Sequence, residues 1–238
     1  MKKENILGFD VCTMNSDELL AGIYEDYKND IRNFIVNINP EIIVHNYENE
    51  EFKKQLNMQK YQIPDGIGVI LASKMKKGRI KRRITGIDFM YEICKKSVQT
   101  GAKIFLYGAK PGVAELAKKE LEKKYPGINV VGVCDGYIEE TEAVSIISEA
   151  SPDIIFVGLG SPKQEEFILK NMDKLEFVKI FMPVGGSFDV VSKKLKRAPD
   201  WMIKINMEWL YRLIKQPKRI FRQAKLLKFI FLCMYKNK

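Results

Sequence analysis

The sequence predicts a doubly wound α/β protein with a mostly parallel sheet and a basic, helical appendage at its C-terminus. Short apolar runs rich in Ile, Val and Phe alternate with segments of helical periodicity. The apolar runs show little polar alternation, which is typical of parallel strands covered on both faces. The charge balance changes once, near Lys193, where a strongly basic stretch begins.

Strand and helix patterns follow one another along most of the chain. Strands are expected at residues 6–11, 34–39, 103–107, 129–134, 154–158 and 179–184. Helices are expected at residues 16–30, 48–58, 88–100, 113–125, 140–150 and 162–172. Ser16 before two acidic residues and Pro162 in a first turn are helix start signals. This alternation favours helices on both faces of one sheet.

The C-terminal stretch differs from the rest of the chain in charge. Residues 193–238 hold fourteen Lys or Arg and two acids, a net charge of +12, whereas residues 1–192 hold 26 basic and 28 acidic residues. Helices are predicted at about 199–215 and 217–235, the second amphipathic and basic. We therefore predict an α/β core, residues 1–192, and a basic amphipathic appendage, residues 193–238. Such a segment indicates an anionic partner: nucleic acid, lipid headgroups or a phosphorylated substrate.

Composition argues against several classes of protein. Charged residues make up 29% of the chain and no run of about 20 apolar residues exists, so no membrane-spanning helix is expected. The N-terminus lacks the apolar stretch of a signal peptide. Cys12, Cys94, Cys134 and Cys233 lie apart among apolar residues, which predicts buried thiols in a reducing compartment. His45 is the only histidine, so the sequence offers no ordinary zinc site.

Three predicted strands end in glycine-containing turns, at residues 107–112, 158–162 and 184–187. Ligands of open α/β sheets bind at the carboxyl ends of the strands. Glycines let the backbone approach a phosphate, and helix N-termini favour anions. The three turns together predict a nucleotide or sugar-phosphate pocket. None matches the dinucleotide fingerprint or the Walker pattern, so no cofactor and no P-loop chemistry is expected.

Other polar blocks carry weaker signals by themselves. Pro64-Asp65-Gly66 and Asp135-Gly136-Tyr137 both have the composition of ordinary turns. In the run from Gly158 to Glu165, a helix cap at Ser161 explains only part of the pattern. No Asp-x-Asp triplet is present, although many sugar-nucleotide transferases use one to hold a divalent metal. Basic side chains and amides are therefore expected to carry that charge, with no metal.

The polar blocks occur in a fixed order along the chain. They are Pro64-Asp65-Gly66, Arg83-Ile84-Thr85-Gly86-Ile87-Asp88, Asp135-Gly136-Tyr137, Gly158-Leu159-Gly160-Ser161-Pro162-Lys163-Gln164-Glu165, Gly185-Gly186-Ser187-Phe188-Asp189, Arg197-Ala198-Pro199 and Glu208-Trp209-Leu210-Tyr211-Arg212. Together they resemble the WecG/TagA/CpsF family of bacterial glycosyltransferases, from about residue 6 to residue 222. The Gly-Ser-Pro-Lys-Gln-Glu block is specific, the ordered set more so. The basic C-terminal stretch is most similar to that of the TagA branch.

This resemblance implies a Rossmann-like core and an inverting, metal-independent transfer. Members of the TagA branch join N-acetylmannosamine, from UDP-ManNAc, to undecaprenyl-diphosphate-GlcNAc and so build the linkage unit of wall teichoic acid. The resemblance implies that Asp65 is the general base. It also implies that three arginines contact the acceptor diphosphate: Arg212, Arg219 and Arg222. The family's early strand often ends with a threonine near the sugar pocket, a role that falls here on Asn37 or Asn39.

The turns and the resemblance together give the candidate substrate-binding residues. They are Asn37, Asn39, Arg83, Gly86, Gly108, Asp135, Tyr137, Gly158, Gly160, Ser161, Lys163, Gln164, Gly185, Gly186 and Asp189. The expected partners are a UDP-sugar donor, a polyprenyl-diphosphate-linked acceptor and an anionic membrane surface, without nucleic acid. The expected location is peripheral, at the cytoplasmic face of the cell membrane. The oligomeric state is left open, a homo-oligomer included.

Three alternatives remain beside this hypothesis. Another donor in the same family, UDP-linked ManNAcA, glucose or glucuronate, would serve exopolysaccharide synthesis. A nucleic-acid-binding protein would explain the basic tail through phosphate neutralisation, but not the polar blocks at the strand ends. A soluble enzyme that modifies nucleotide sugars, such as an epimerase, would need a cofactor fingerprint that the sequence lacks.

Overall fold

A computed structural model describes residues 2–215 and 220–235 of the chain. Its strands are β1 (Lys3–Ile6), β2 (Phe9–Cys12), β3 (Asn33–Ile38), β4 (Tyr61–Pro64), β5 (Lys103–Gly108), β6 (Asn129–Cys134), β7 (Ile154–Gly158) and β8 (Ile180–Pro183). The last six form a sheet in the order β4-β3-β8-β7-β5-β6, and every neighbouring pair is parallel. The predicted α/β fold with a parallel sheet is confirmed.

The helices lie between the strands and beyond the last one. They are α1 (Ser16–Lys28), α2 (Pro40–His45), α3 (Glu50–Asn57), α4 (Ile67–Met75), α5 (Gly86–Thr100), α6 (Val113–Lys124), α7 (Glu140–Ala150), α8 (Lys163–Asn171), α9 (Ser187–Val191), α10 (Asp200–Lys204), α11 (Glu208–Lys215) and α12 (Ile220–Tyr235). Polar caps start several of them. Asn15 accepts from the Glu18 amide at 3.0 Å, and Thr85 accepts from the Asp88 amide at 3.2 Å.

Alternating side chains of the strands divide the core into two layers, one on each face of the sheet. On β3, Phe34 and Val36 join the cluster that packs against α2, α3, α4, α7, α8 and α12. Ile35, between them, joins the opposite cluster with α1, α5, α6 and α9. This period of two with apolar residues on both sides explains why the strands read as continuous apolar runs.

The structure differs from the prediction at the N-terminus. Residues 6–11 were predicted as one strand, but Leu7 and Gly8 have φ angles of 51° and 92° and turn the chain between β1 and β2. These two strands pair antiparallel. Leu7 is buried although it lies in the turn. In the sequence, the turn therefore looks like part of one apolar strand. The prediction also missed β4, α2, α4 and α9, which are nine residues long or less.

The C-terminal helices pack on the body of the protein. Phe229 of α12 is 1% exposed and belongs to the core layer of α2 and α4. Gly68 makes this contact close, because a Cβ there would lie 2.5 Å from Pro40 Cγ and 3.4 Å from Phe229 Cε1. Lys225 Nζ lies 3.6 Å from Glu41 Oε1 across the same contact. Within the described ranges, no helix is both long and apolar enough to cross a membrane.

Candidate active site

A cavity of about 510 Å³ opens at the carboxyl ends of β3, β4, β7 and β8. We call it the Asp65 cavity. It brings together twelve of the residues predicted from the sequence: Asn37, Asn39, Asp65, Arg83, Gly86, Gly158, Gly160, Ser161, Gln164, Gly185, Gly186 and Asp189. These residues come from segments far apart in the chain. They lie close together because the carboxyl ends of parallel strands are all at the same edge of the sheet.

A second cavity of about 670 Å³ adjoins the first. It contains Tyr137 and Lys163, which were predicted, and also Lys110 and Lys170, so we call it the lysine cavity. The two cavities share part of their walls: Ala109, Gly158, Leu159 and Asp189. Lys170 pairs with Glu140 at 2.9 Å, whereas Lys110 and Lys163 form no ion pair with any described residue.

Some predicted residues lie elsewhere. Gly108 and Asp135 line neither cavity. Gly108 allows two strand ends to approach, because a Cβ there would lie 2.6 Å from the Gly158 carbonyl, and Asp135 Oδ1 accepts from the Tyr137 amide at 2.8 Å within a turn. Arg219 lies outside the described residues, as do the side chains of Arg212 and Arg222. Their contact with an acceptor diphosphate therefore stays a prediction.

Asp65 lies directly after β4, held by the backbone. Its amide donates to the Ile38 carbonyl at 2.8 Å, which extends the pairing of β3 with β4 by one residue. Gly66 follows with a φ of 89°, which favours glycine and lets the chain turn at once into α4. A Cβ at Gly86 would lie 4.0 Å from Asp65 Oδ2. The same Cβ would lie only 2.8 Å from Asn37 Nδ2, so glycine at this position leaves room for the Asn37 amide near the carboxylate.

Asn37 and Asn39 lie at the end of β3, but their side chains have different surroundings. Asn39 caps α2, since its Oδ1 accepts from the Ile42 amide at 3.0 Å. Asn37 Nδ2 donates to the Pro183 carbonyl at 2.7 Å, which fixes the amide orientation because a carbonyl only accepts. Asn37 Oδ1 is then buried without a partner among the described residues. Asn37 lines the cavity, but this oxygen is itself buried and has no hydrogen-bond donor among the described residues.

A chain of hydrogen bonds runs behind the glycine turns. The Gly185 amide donates to Gln164 Oε1 at 2.9 Å, and Gln164 Nε2 donates to Glu165 Oε1 at 2.8 Å. Glu165 is 0% exposed, and burial raises its pKa to about 7 against the lowering effect of the Gln164 bond. Sequence reasoning named Gln164 but gave no role to Glu165, because its burial depends on how α8 packs.

A network of ion pairs joins the wall of the Asp65 cavity to α11. Glu208 lies 3.4 Å from Arg83 and 3.8 Å from Arg197, and Arg197 pairs with Asp88 at 2.7 Å. Although burial alone would raise it, hydrogen bonds from Arg197 and Thr85 lower the pKa of Asp88. All of these residues belong to motifs quoted from the sequence. What the sequence did not reveal is that they contact one another.

The described side chains of the two cavities differ in charge. The Asp65 cavity is lined by Glu41, Asp65, Asp189 and Glu208, with Arg83 as its one described base. The lysine cavity is lined by three lysines and also by three acids, Glu140, Glu166 and Asp189. In addition to Glu41 and Glu208, sequence reasoning did not assign several residues of the first cavity: Pro40, Ile67, Gly68, Thr85, Ile87, Ala109, Leu159, Val184, Ser187, Trp209 and Leu226. Trp209 and Leu226 belong to α11 and α12, so the C-terminal helices complete the wall.

The described residues contain no group of three or more His, Cys, Asp or Glu arranged to hold a metal ion. Independence from metal stays a prediction. The four cysteines are buried and free, as the sequence predicted.

Comparison with known proteins assigns the family. The sequence model described as "Glycosyl transferase WecG/TagA/CpsF family" matches residues 4–238, nearly the whole chain. The chain belongs to this family. The ordered motifs predicted this resemblance, and it is now confirmed.

Relatives of this WecG/TagA/CpsF glycosyltransferase carry a specific name, N-acetylglucosaminyldiphosphoundecaprenol N-acetyl-beta-D-mannosaminyltransferase. The protein of that name from Bacillus subtilis (strain 168) is 37% identical over 86% of this chain and 80% of its own length. The one from Staphylococcus aureus (strain MRSA252) is 38% identical over 98% of this chain and 91% of its own length. By their names, these relatives transfer N-acetylmannosamine to GlcNAc-diphosphoundecaprenol.

Proposed function

We propose that this chain transfers N-acetylmannosamine from UDP-ManNAc to GlcNAc carried on undecaprenyl diphosphate, in the synthesis of the wall teichoic acid linkage unit. The observation that carries the proposal is the position of Asp65. Its carboxylate lies in a cavity with eleven other residues that the sequence predicted for this chemistry. The relatives that bear this name span nearly the full chain and support the choice of substrates.

Asp65 acts as the general base in this proposal. It takes the proton from a hydroxyl of the acceptor GlcNAc as that oxygen forms a bond to the anomeric carbon of the donor. The bond from the anomeric carbon to the β-phosphate oxygen breaks, and UDP leaves with the electron pair. Attack opposite the leaving group inverts the anomeric centre. The proton then passes from Asp65 to solvent.

The leaving diphosphate lies at the wall that the two cavities share. Gly158 and Gly160 let backbone amides approach it, and α8 begins there with its positive end. Lys110 and Lys163 stand on the lysine side without carboxylate partners among the described residues. These groups are placed to stabilise the charge that develops on UDP, in the role that a metal has in other transferases.

The donor sugar contacts Asn37 in this proposal. Its Oδ1 is a buried acceptor without a described partner, and leaving such an atom unsatisfied costs about 1–3 kcal/mol. An amide N–H or a hydroxyl of the sugar would satisfy it once the side chain turned toward the cavity. Asn39 has its Oδ1 occupied in the cap of α2, so of the two candidates Asn37 is the better placed.

The acceptor arrives from a membrane in this proposal. Trp209 and Leu226 place α11 and α12 in the cavity wall, next to the site of transfer. We propose that residues 193–238 hold the enzyme at the cytoplasmic face of the membrane. Arg212, Arg219 and Arg222 then meet the acceptor diphosphate, since arginine donates paired hydrogen bonds to phosphate oxygens.

The experiment is a transfer assay with UDP-ManNAc and a short-chain lipid-diphosphate-GlcNAc analogue, scored for the disaccharide product. We expect product in the presence of EDTA. Product only with UDP-glucose, UDP-glucuronate or UDP-ManNAcA would favour the alternative donor. Loss of activity in EDTA, restored by Mg²⁺ or Mn²⁺, would contradict metal independence. Turnover of UDP-ManNAc without any acceptor would favour a nucleotide-sugar-modifying enzyme instead.

A further inference from the structure

The core carries a basic loop, although basic and acidic residues are nearly equal in number over residues 1–192 as a whole. Residues 74–83, from the last turn of α4 toward the start of α5, contain seven basic residues and no acid. Six of the seven are exposed: Lys74, Lys76, Lys77, Arg79, Lys81 and Arg82. The seventh, Arg83, turns inward to Glu208. Within the part of the chain that the structure describes, none of the exposed six forms an ion pair with a carboxylate.

This loop is fixed to the body of the protein. Glu4 Oε2 accepts from the Arg79 amide at 2.7 Å, from the Ile80 amide at 3.2 Å and from the Ser73 hydroxyl at 3.0 Å. Ile80 is buried. The chain is therefore held just before the basic stretch, at Ser73, and within it, at Arg79 and Ile80.

Apolar side chains accompany the bases. On α4, Leu71 and Met75 are one helical turn apart and 49% and 55% exposed. On α12, Leu227, Phe231 and Met234 are 70%, 56% and 60% exposed. Each helix buries its other side in the same core layer, so each turns an apolar stripe away from the protein.

The two helices lie side by side. Gly68, near the start of α4, faces Leu226 and Phe229 of α12, with their carbon atoms 3.4–3.5 Å from the position of a Cβ. At the other end, Lys76 is close enough to Cys233 that its charge opposes the rise that burial causes in the pKa of that thiol. The helices thus run in the same direction, and the basic loop begins beside the C-terminal part of α12.

We propose that α4, the loop at residues 74–83 and α12 form one continuous surface that binds an anionic lipid bilayer. The inference rests on the proposed membrane association and extends it to the core. Apolar side chains with bases around them suit an interface, where the former enter the acyl boundary and the latter meet the headgroups. Bases near an anionic leaflet are attracted to its headgroups, so this loop would add to the binding by the tail.

Charge and composition favour a bilayer over other occupants. A second copy of the chain would bring the same unpaired bases face to face, where like charges repel. Nucleic acid would meet the bases, but it offers nothing for the apolar stripes of the two helices. A bilayer matches both. Because Gly66 and Gly68 of the α4 segment also line the Asp65 cavity, this contact would turn the cavity mouth toward the lipid-linked acceptor.

The test compares two triple variants of the full chain in vesicle co-sedimentation, with phosphatidylglycerol-containing and pure phosphatidylcholine vesicles. The first, Lys74→Gln, Lys76→Gln and Lys77→Gln, removes three bases of the loop. The second is the matched control, Lys95→Gln, Lys119→Gln and Lys123→Gln, which removes three exposed bases from α5 and α6 on the opposite face of the sheet.

We expect the loop variant to bind the anionic vesicles at least about tenfold more weakly than the unaltered chain, and the control to bind within about twofold. Leu71→Ser with Met75→Ser should also weaken binding. Transfer to a soluble acceptor should stay unchanged in all variants, which separates this inference from the proposed reaction.

Equal binding by the loop variant and the control would overturn the inference and leave the proposed transfer intact. The inference would also be wrong if the unaltered chain failed to bind anionic vesicles. A loop variant that binds vesicles normally but alters sedimentation of the free protein would assign the surface to self-association. One that loses only duplex DNA binding would assign it to nucleic acid.

Discussion

Asp65 is the residue on which the proposed chemistry depends most directly. Asp65→Asn keeps the size of the side chain and removes its basicity, and base catalysis typically contributes a factor of about 10²–10⁴. We expect kcat with saturating substrates to fall by that factor, with vesicle binding and thermal stability unchanged. Asp173→Asn, at an exposed position outside both cavities, is the control. Turnover within a few-fold of the unaltered enzyme would remove Asp65 from the role of base.

Glu165 makes stability depend on pH. Burial raises its pKa from 4.5 to about 7, so the folded protein holds the proton more tightly than the unfolded chain does. The stability from this group is fully present below about pH 4.5 and is lost as the pH rises to about 7. The stability that the protein loses over this pH range is on the order of 3 kcal/mol.

Glu165→Gln does not titrate and keeps an acceptor for Gln164. The free energy of unfolding can be measured in urea for the unaltered chain and for this variant. We expect the unaltered chain to lose about 3 kcal/mol relative to the variant between about pH 4.5 and pH 8. Transfer at neutral pH should be retained in Glu165→Gln and reduced in Glu165→Leu, which leaves Gln164 Nε2 without its partner. A difference that is constant with pH would mean that folding does not raise the pKa of Glu165.

At the scale of elements, α12 combines two functions on opposite sides of one helix. Phe229 is buried against α2 and α4, whereas Phe231, two positions on, is 56% exposed. Phe229→Ala should destabilise the protein by about 3–5 kcal/mol, or release α12 from the core, because it leaves a cavity. Phe231→Ala should leave stability unchanged and weaken binding to vesicles. Chemical denaturation and vesicle co-sedimentation of the same two variants measure both effects.

Comparison of Phe229→Ala with Phe231→Ala tests how α12 packs on the protein. If both alanine variants unfolded at the same denaturant concentration as the unaltered chain, α12 would not be part of the folded core in solution. If both weakened vesicle binding equally without loss of stability, the two sides of the helix would be equivalent. Either result would contradict the packing described above.

At the scale of the whole molecule, charge and shape act together. The chain has a net charge of +10, and exposed bases lie both in the appendage and in the loop at residues 74–83. Salt screens such surface charges, with a Debye length that falls from about 10 Å at 0.1 M to about 3 Å at 1 M. We expect vesicle binding to weaken strongly across that range, and residual binding at high salt to depend on Leu71 and Phe231. Binding that does not change with salt would leave the charge without a function at the membrane.

The sheet also explains why the site could be predicted in part. The strand runs at residues 103–107, 129–134 and 154–158 are apolar on both sides, and the sheet places them as expected. Glycines after β7 and β8 and the block from Gly158 to Glu165 lie at one edge of the sheet, since parallel strands all end there. Gly108 and Asp135 also lie at the ends of predicted strands. Gly108, however, allows two strand ends to pack closely, and Asp135 accepts a hydrogen bond within a turn.

By itself the sequence determined the α/β class, the parallel strands, the edge where ligands bind and the family. These depend on local periodicity and on ordered motifs, which each segment carries within itself. Only the tertiary structure decided which segments meet. Arg83 and Glu208 lie 125 residues apart and form an ion pair, and the loop at residues 74–83 lies beside α12. Such contacts depend on strand order and helix packing, because the energy of each pair arises only when the whole fold brings its members together.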